Sequence, residues 1–240
     1  MYFHLISLTS LLLVQGCEGS EKTPNEPTSI DHGDPILSES LQMPGDELAA
    51  TIVTPRRATL PEVLAAKEVR RYVYQRTGEL LALTSSDTLP EGDVILVAVQ
   101  TSALVSDLDH AIRYDNPPGG FLIKSVEQEE RTVLVITGID PDATLHGTYR
   151  FAEHLGVGFG LEGDIIPDAR VALNISGYDE VAVPLLETRG LLPFHDFPEG
   201  PDFWNTDDYL MVVSQMPKLG LNFIGFHNYP RWSSTEEAGL

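Results

Sequence analysis

Apolar residues recur in two distinct patterns between residues 48 and 180. Short runs rich in β-branched residues, separated by Gly, Pro and Asp, predict strands. These runs are Ala50–Pro55, Leu80–Leu83, Val94–Val99, Phe121–Val126 and Thr132–Thr137. Two longer stretches repeat their apolar residues every three or four positions, which indicates helices with one buried face. The two patterns together predict a small α/β domain.

The ends of the first helix can be located from its sequence. Thr59 and Glu62 form a capping box, in which each residue can satisfy a free backbone N–H of the other, and Gly78 supplies the stop. The buried face of this helix is predicted to contain Ala65, Ala66, Val69, Tyr72 and Val73.

The second helix begins after Asp140, a favourable N-cap, with Pro141 in the first turn, and ends at Gly156. Its apolar face contains Leu145, Thr148, Tyr149, Ala152 and Leu155. Two helices on one face of a mixed sheet of four or five strands is the most economical arrangement. We therefore predict this α/β sandwich for residues 48–180.

Residues 185–240 begin a different region, richer in aromatic residues and proline. Arg189–Phe194 and Asn222–Phe226 are predicted strands, and Asp207–Leu219 between them is a predicted helix, capped by Asn205 or Thr206. Strand, helix and strand in this order are typical of the start of a (β/α)₈ barrel.

The helix of this region is predicted to pack through one face, and Pro217 should kink or shorten its last turn. Leu210 and Val213 are expected to face the strands, and the whole apolar face comprises Leu210, Val213, Met216 and Leu219.

Polar and aromatic side chains follow both predicted strands of this region. Functional residues of a barrel cluster at the carboxyl ends of its strands. An aromatic ring there can pack against an apolar face of a ligand, and Asp, Asn and His can bind hydroxyl or carboxylate groups. The candidate substrate-binding residues are His195, Asp196, Asp202, Trp204, Asn205, His227, Asn228 and Tyr229. Loop or core packing is the alternative role for Trp204 and Tyr229.

Metal-binding residue types occur in two places, but neither predicts a metal site. His195, Asp196 and His227 are a conceivable ligand set, yet we favour substrate recognition for them. His146 and His154 lie two helical turns apart, and the acidic residues near Asp164 add no third ligand at a metal-like spacing. Ordinary packing or surface roles are expected there, and we predict no cofactor.

The N-terminus has the pattern of an export signal. A short apolar run, Leu5–Val14, precedes Gly16 and Cys17, the single cysteine. This arrangement resembles the lipobox of bacterial lipoproteins, which implies a signal peptide at 1–16, lipidation of Cys17 and a lipid anchor at the bacterial cell envelope. The polar segment 17–47 is predicted to be a flexible tether. A plain cleaved signal or a buried free cysteine is the alternative.

The charge and the cysteine count exclude several functions. With 15 Lys and Arg against 36 Asp and Glu, the formal charge is −21, which argues against nucleic-acid partners and against attraction to anionic lipid. Membrane contact is therefore expected through the lipid anchor only. One cysteine excludes an internal disulfide and a multi-thiolate zinc site within one chain.

Two segments of the α/β domain resemble a known type of domain. AAKEVRRYVYQRTG, and then GIDPDATLHGTYRFAEHLGVGFGLEGDIIP, are similar to the non-catalytic N-terminal domain of α-glucuronidases and bacterial β-hexosaminidase-type glycoside hydrolases. The stretch RGLLPFHDFP, continued by DDYLMVVSQMPKLGLNFIGFHNYP, resembles the first two strands of the catalytic barrel that follows.

This resemblance implies a glycoside hydrolase acting on a polysaccharide that contains uronate or hexosamine. In those families the two catalytic carboxylates lie on later strands, so none is assigned here. Residues 185–240 are far fewer than the roughly 250 of a whole barrel, so we expect an inactive fragment of a larger enzyme. A non-catalytic glycan-binding surface lipoprotein and a purely structural lipoprotein are the alternatives.

Overall fold

Eight strands form the sheets of the α/β domain in the computed structural model, which describes residues 50–108, 112, 117–128, 130–194 and 200–226. They are β1 (Thr51–Pro55), β2 (Leu83–Ser86), β3 (Val94–Val99), β4 (Phe121–Gln128), β5 (Arg131–Gly138), β6 (Gly158–Gly160), β7 (Gly163–Ile165) and β8 (Asp179–Ala182). β6 and β7 form an antiparallel hairpin, and the others form one sheet in the order β2-β1-β3-β5-β4-β8. The first four strands in that order are parallel, while β4 runs antiparallel to both neighbours.

Three helices cover this sheet: α1 (Leu60–Thr77), α2 (Ala103–Ser106) and α3 (Pro141–His154). α1 and α3 pack side by side on the face that carries Ile95 and Ile136, as the sequence predicts. The short α2, which the sequence did not predict, helps to cover the opposite face, on which Leu96 and Val135 lie. Within the described residues, no helix combines the length and the apolar composition needed to span a bilayer. The predicted α/β class and mixed sheet are confirmed, but the sheet has six strands instead of the predicted four or five, because β8 adds an edge strand.

The strand predicted at Leu80–Leu83 is wrong in its position. Pairing with β1 begins at Leu83 and continues to Ser86, while Leu81 lies buried in the core just before the strand. β2 is an edge strand, so its exposed Thr84 and Ser85 lack the apolar signal by which a strand is recognised in sequence. The same edge position accounts for the unpredicted β8.

The C-terminal region contains a β–α–β unit: β9 (Gly190–Leu191), α4 (Thr206–Gln215) and β10 (Phe223–Ile224). β9 and β10 pair in parallel, with Gly190 opposite Phe223 and Leu191 opposite Ile224. A Cβ atom at residue 190 would collide with the carbonyl oxygen of Phe223, so this close pairing requires glycine. Both strands are shorter than the sequence predicted.

The predicted packing face of this helix is wrong at Leu210 and Val213, which are 63% and 42% exposed. Met216 is buried as predicted, and Val212 on α4, which was not predicted to pack, is buried as well. The reason lies beyond the end of α4, where the 3₁₀ turn Met216–Leu219 packs against α3 and β6. This contact rotates the buried face toward the α/β domain. The tightening of the last turn at Pro217 is as predicted.

Glu62 joins the start of α1 to the end of β3. Its carboxylate is 2% exposed and accepts hydrogen bonds from the backbone N–H and the hydroxyl of Thr59, both at 2.7 Å. The other carboxylate oxygen accepts the N–H of Val99 at 2.9 Å. The predicted capping box is therefore present, and it has a third partner that lies 37 residues away in sequence.

We expect Glu62→Gln to lower the free energy of unfolding by about 1–3 kcal/mol, because an amide cannot accept hydrogen bonds on both of its groups and one buried N–H loses its partner. Urea unfolding at pH 7 measures the change. Glu79→Gln, an exposed substitution just beyond α1, is the matched control and should stay within about 0.5 kcal/mol of the native chain. Equal stabilities of the two variants would contradict the bridging role of Glu62.

Candidate functional site

A cluster of aromatic rings lies at the carboxyl ends of β9 and β10. Phe226 follows β10, while Trp204 and Tyr209 belong to the segment that leads from β9 into α4. The ring of Tyr209 lies 5.2 Å from that of Trp204 and 5.8 Å from that of Phe226, centre to centre. The Tyr209 hydroxyl donates to the carbonyl oxygen of Pro201 at 2.8 Å, which fixes the central ring of the three.

These rings are only partly covered by the rest of the chain. Phe226 is 45% exposed, Trp204 is half-buried, and Phe203, which precedes Trp204 in sequence, is 67% exposed. Partly exposed rings in a fixed arrangement can bury apolar surface against a ligand. The apolar face of a sugar ring is one ligand surface that would fit them. We call Phe203, Trp204, Tyr209 and Phe226 the aromatic rim.

Two of the predicted substrate-binding residues, Trp204 and Asn205, are described in full. The Asn205 side-chain oxygen accepts the N–H groups of Asp207 and Asp208 at 2.7 and 3.2 Å, so this residue caps α4 beside the rim. The side chain of Asp202 lies outside the described residues, as do His195, Asp196, His227, Asn228 and Tyr229. That these six share one rim with Trp204 stays a prediction.

A buried polar cluster, which the sequence did not reveal, connects α4 to the α/β domain. Asp164 on β7 forms an ion pair of 2.6 Å with Lys218, and their side chains are only 9% and 7% exposed. The same carboxylate accepts the Tyr72 hydroxyl at 2.9 Å and the Arg71 guanidinium at 3.0 Å. Lys218 also lies 5.9 Å from the centre of the Phe159 ring. We call Arg71, Tyr72, Phe159, Asp164 and Lys218 the bridging cluster.

The electrostatics of the bridging cluster favour an ionised Asp164. Burial by itself raises the pKa of this carboxyl, but hydrogen bonds from Lys218 and Tyr72 outweigh burial and hold the pKa below its usual range. Burial and the Asp164 hydrogen bond both raise the pKa of Tyr72, which therefore stays a neutral donor. The cluster thus forms a charged structural contact between the turn after α4 and the α/β domain.

The other polar residues raised by the sequence have structural partners. His154 contacts the Glu180 carboxylate at 2.6 Å on the surface, and His146 is buried on α3. No group of three or more His, Cys, Asp or Glu residues in the described part of the chain could hold a metal ion. Cys17 lies outside this part, so its lipidation stays a prediction.

The position at which many open α/β sheets bind a ligand is occupied by the chain itself. Such ligands lie where neighbouring parallel strands send their helices to opposite faces, here between β1 and β3. The helix N-terminus that would receive an anion is filled by the buried Glu62 carboxylate. The aromatic rim, rather than this crevice, is therefore the candidate site.

Sequence comparisons give no relative, since no family model and no curated protein matches this chain. Its fold is nevertheless similar to solved structures of glycoside hydrolases. One is BtGH115A, a 4-O-methyl-α-glucuronidase of family GH115 with specificity for decorated arabinogalactans, at a TM-score of 0.55 and 15% identity over 74% of this chain. Another is CpGH84D, at a TM-score of 0.48 and 11% identity over 74% of this chain.

The matched part is about a quarter of each of these proteins, 25% of BtGH115A and 27% of CpGH84D. At such low identity the likeness to BtGH115A shows a shared fold. The α/β architecture of this chain therefore occurs in a solved glycoside hydrolase, and the activity of the chain is a separate question.

Replacing Lys218 by Met leaves the buried Asp164 without its closest cation. We expect the free energy of unfolding at pH 7 to fall by about 2–4 kcal/mol, because an uncompensated buried charge is costly and Arg71 and Tyr72 offset it only in part. Urea unfolding of the whole chain measures the loss.

The loss should depend on pH in a defined direction. The pKa of Asp164 is lowered in the folded state, so its ion pair stabilises the chain above about pH 4 and is lost as the pH falls through the lower folded value. The stability difference between Lys218→Met and the native chain should therefore narrow at acid pH. Lys124→Met, which breaks the more exposed pair with Asp179, should cost less than about 1 kcal/mol. Equal losses in both variants would contradict the bridging cluster.

Proposed function

We propose that this chain is the N-terminal part of an exported, lipid-anchored glycoside hydrolase that acts on a polysaccharide containing uronate or hexosamine. The observation that carries the proposal is the parallel β9–α4–β10 unit with the aromatic rim at the carboxyl ends of its strands. Functional residues of (β/α)₈ enzymes occupy this position. The fold shared with BtGH115A supports the same class of protein.

The β9–β10 pair favours a larger sheet in the whole protein. Parallel strands are normally covered by helices on both faces, and two strands alone are not independently stable. Here Leu192 and Phe223, on or beside these strands, are 69% and 47% exposed. Further β/α units would bury these side chains and extend the rim.

The aromatic rim would contribute sugar binding and not the bond cleavage itself. Glycoside hydrolysis usually needs two carboxylates on either side of the scissile bond, and we place these on strands that would follow β10. Trp204 would stack on a sugar face, while His195, Asp196, His227 and Asn228 would bind hydroxyl or carboxylate groups. We therefore expect residues 1–240 alone to bind a sugar weakly and not to hydrolyse it.

BtGH115A indicates which ligands to test first. That enzyme is a 4-O-methyl-α-glucuronidase with specificity for decorated arabinogalactans. Acidic sugars carried on a neutral polysaccharide are therefore the first substrates to examine for this chain, with hexosaminides as the second group.

Binding at the rim should be visible in the fluorescence of Trp204. In a Trp232→Phe background, which leaves Trp204 as the single tryptophan, titration with 4-O-methylglucuronate-bearing oligosaccharides should shift or quench the emission. In calorimetric titrations, Trp204→Ala should weaken binding roughly 3- to 10-fold through loss of stacking, while Trp204→Phe should retain most of it.

The matched control for this series is Tyr178→Leu, an aromatic substitution in the α/β domain, outside the bridging cluster and away from the rim. It should leave sugar affinity within about twofold, since the ring of Tyr178 packs against Phe151 and His154 of α3. Unchanged affinity in Trp204→Ala, or no binding of either acidic or amino sugars, would contradict the proposed site.

The proposed anchor has its own test. Palmitate labelling of the whole chain expressed in a bacterial host should mark the native sequence and not Cys17→Ala, because diacylation of a lipoprotein requires that thiol. The native chain should then fractionate with membranes and the variant should not. Equal labelling of the two would contradict the lipid anchor without affecting the rim.

A further inference from the structure

The outward surface of α1 is basic in a strongly acidic protein. Six of the 15 Lys and Arg residues lie between Arg56 and Arg76, although the whole chain carries a formal charge of −21. Only two carboxylates, Glu62 and Glu68, lie in the same stretch, and Glu62 is buried beneath the helix. The charge of this surface is therefore opposite to that of the protein as a whole.

The exposed side chains of α1 form one stripe. Leu60, Lys67 and Tyr74 follow each other at seven-residue intervals, which places them on the same side of the helix. Arg70 lies on one flank of this stripe and Leu64 on the other. Leu60, Leu64 and Tyr74 are 75%, 44% and 51% exposed, whereas the opposite side of α1 is buried against the sheet.

Three of the Lys and Arg side chains in this region already have partners within the protein. Arg71 pairs with Glu68 and Asp164, Arg56 pairs with Asp87, and Arg76 is buried with its guanidinium on backbone carbonyls.

Lys67 and Arg70 on α1, and Arg57 just before it, are exposed and form no ion pair within the described part of the chain. Glu68, the nearest acid on α1, is held by Arg71. On α1 itself, two cations and an exposed aromatic ring are therefore presented together to solvent.

Charge complementarity selects an anionic partner for this stripe. A polyanion is repelled by most of an acidic surface, so a basic stripe both attracts and orients it. From Leu60 to Tyr74 the stripe is about 21 Å long, which suits an extended chain better than a single small anion. Tyr74 adds an apolar face of the kind on which a sugar ring stacks.

We propose that the outer face of α1 binds a carboxylate-bearing polysaccharide, with Lys67 and Arg70 on the carboxylates and Tyr74 against a sugar face. The choice of a polysaccharide over another polyanion rests on the proposed glycan function. This stripe belongs to the α/β domain and the aromatic rim to the β9–α4–β10 unit, so the proposal gives the protein a second, non-catalytic contact with its polymeric substrate.

Affinity electrophoresis and calorimetry of the whole chain with polygalacturonic acid test this proposal, with neutral dextran as the uncharged polymer. The native chain should bind polygalacturonic acid and not dextran, and its affinity should fall as salt is raised. The double variant Lys67→Gln/Arg70→Gln should bind at least tenfold more weakly, and Tyr74→Ala about threefold more weakly.

The matched control is Lys124→Gln/Arg150→Gln, which changes the net charge by the same amount at surface positions that pair with Asp179 and Glu180 of β8. Its affinity should remain within twofold of the native value. If the two double variants lose the same amount of affinity, net charge alone explains the binding and the proposal is overturned. Binding that is confined to vesicles containing phosphatidylglycerol, or no binding to polygalacturonic acid at all, would also overturn it.

The two sites can be separated in the same assay. Trp204→Ala should leave the binding of polygalacturonic acid by α1 within twofold, and Lys67→Gln/Arg70→Gln should leave short-oligosaccharide binding at the rim unchanged. Failure of the rim titration with intact α1 binding would contradict the proposed function alone, and the reverse result would contradict the α1 proposal alone. Polymer binding that is lost in both variants would overturn a separate site on α1.

Discussion

The ion pair between Asp164 and Lys218 is the contact on which the arrangement of this chain depends. It lies within 2.6 Å in a nearly closed environment and connects residues 54 positions apart. A buried pair contributes stability only when further hydrogen bonds support its charges, and here Tyr72 and Arg71 also donate to the Asp164 carboxylate. The pair also fixes geometry, because it holds the turn after α4 against α3 and β6.

The aromatic rim depends on that geometry. Trp204 and Tyr209 lie at the start of α4, and Lys218 lies just past its end. The ion pair of Lys218 therefore fixes the C-terminal end of the helix, and the rings of the rim are carried at its N-terminal end. The α/β domain provides a stiff support, since α1 and α3 bury both a core and the edge-to-face rings of Tyr72, Tyr149 and Phe159. The α/β domain thus positions the aromatic rim.

Local signals in the sequence predicted the local structure well. The Asp140 cap and the bounds of Val94–Val99 are as expected, because caps and buried strands are specified by neighbouring residues. The burial of Leu210 and Val213 on α4 was predicted incorrectly. Apolar spacing alone cannot show which face of a helix packs against another helix that is far away in sequence, here α3. The pairing of Asp164 with Lys218 and the reach of Glu62 to Val99 are likewise long-range contacts without a sequence pattern. Of the predicted rim, Trp204 lies beside Tyr209, while the histidine positions lie outside the described residues.

Amide hydrogen exchange on the whole chain, native and Asp164→Asn, tests the central claim that this carboxylate holds the β9–α4–β10 unit on the α/β domain. The claim predicts faster exchange throughout α4 and β10 in the variant, while β3 and β5, which lie in the middle of the sheet, keep their protection. Unchanged exchange in α4, or a uniform loss of protection across both regions, would contradict it.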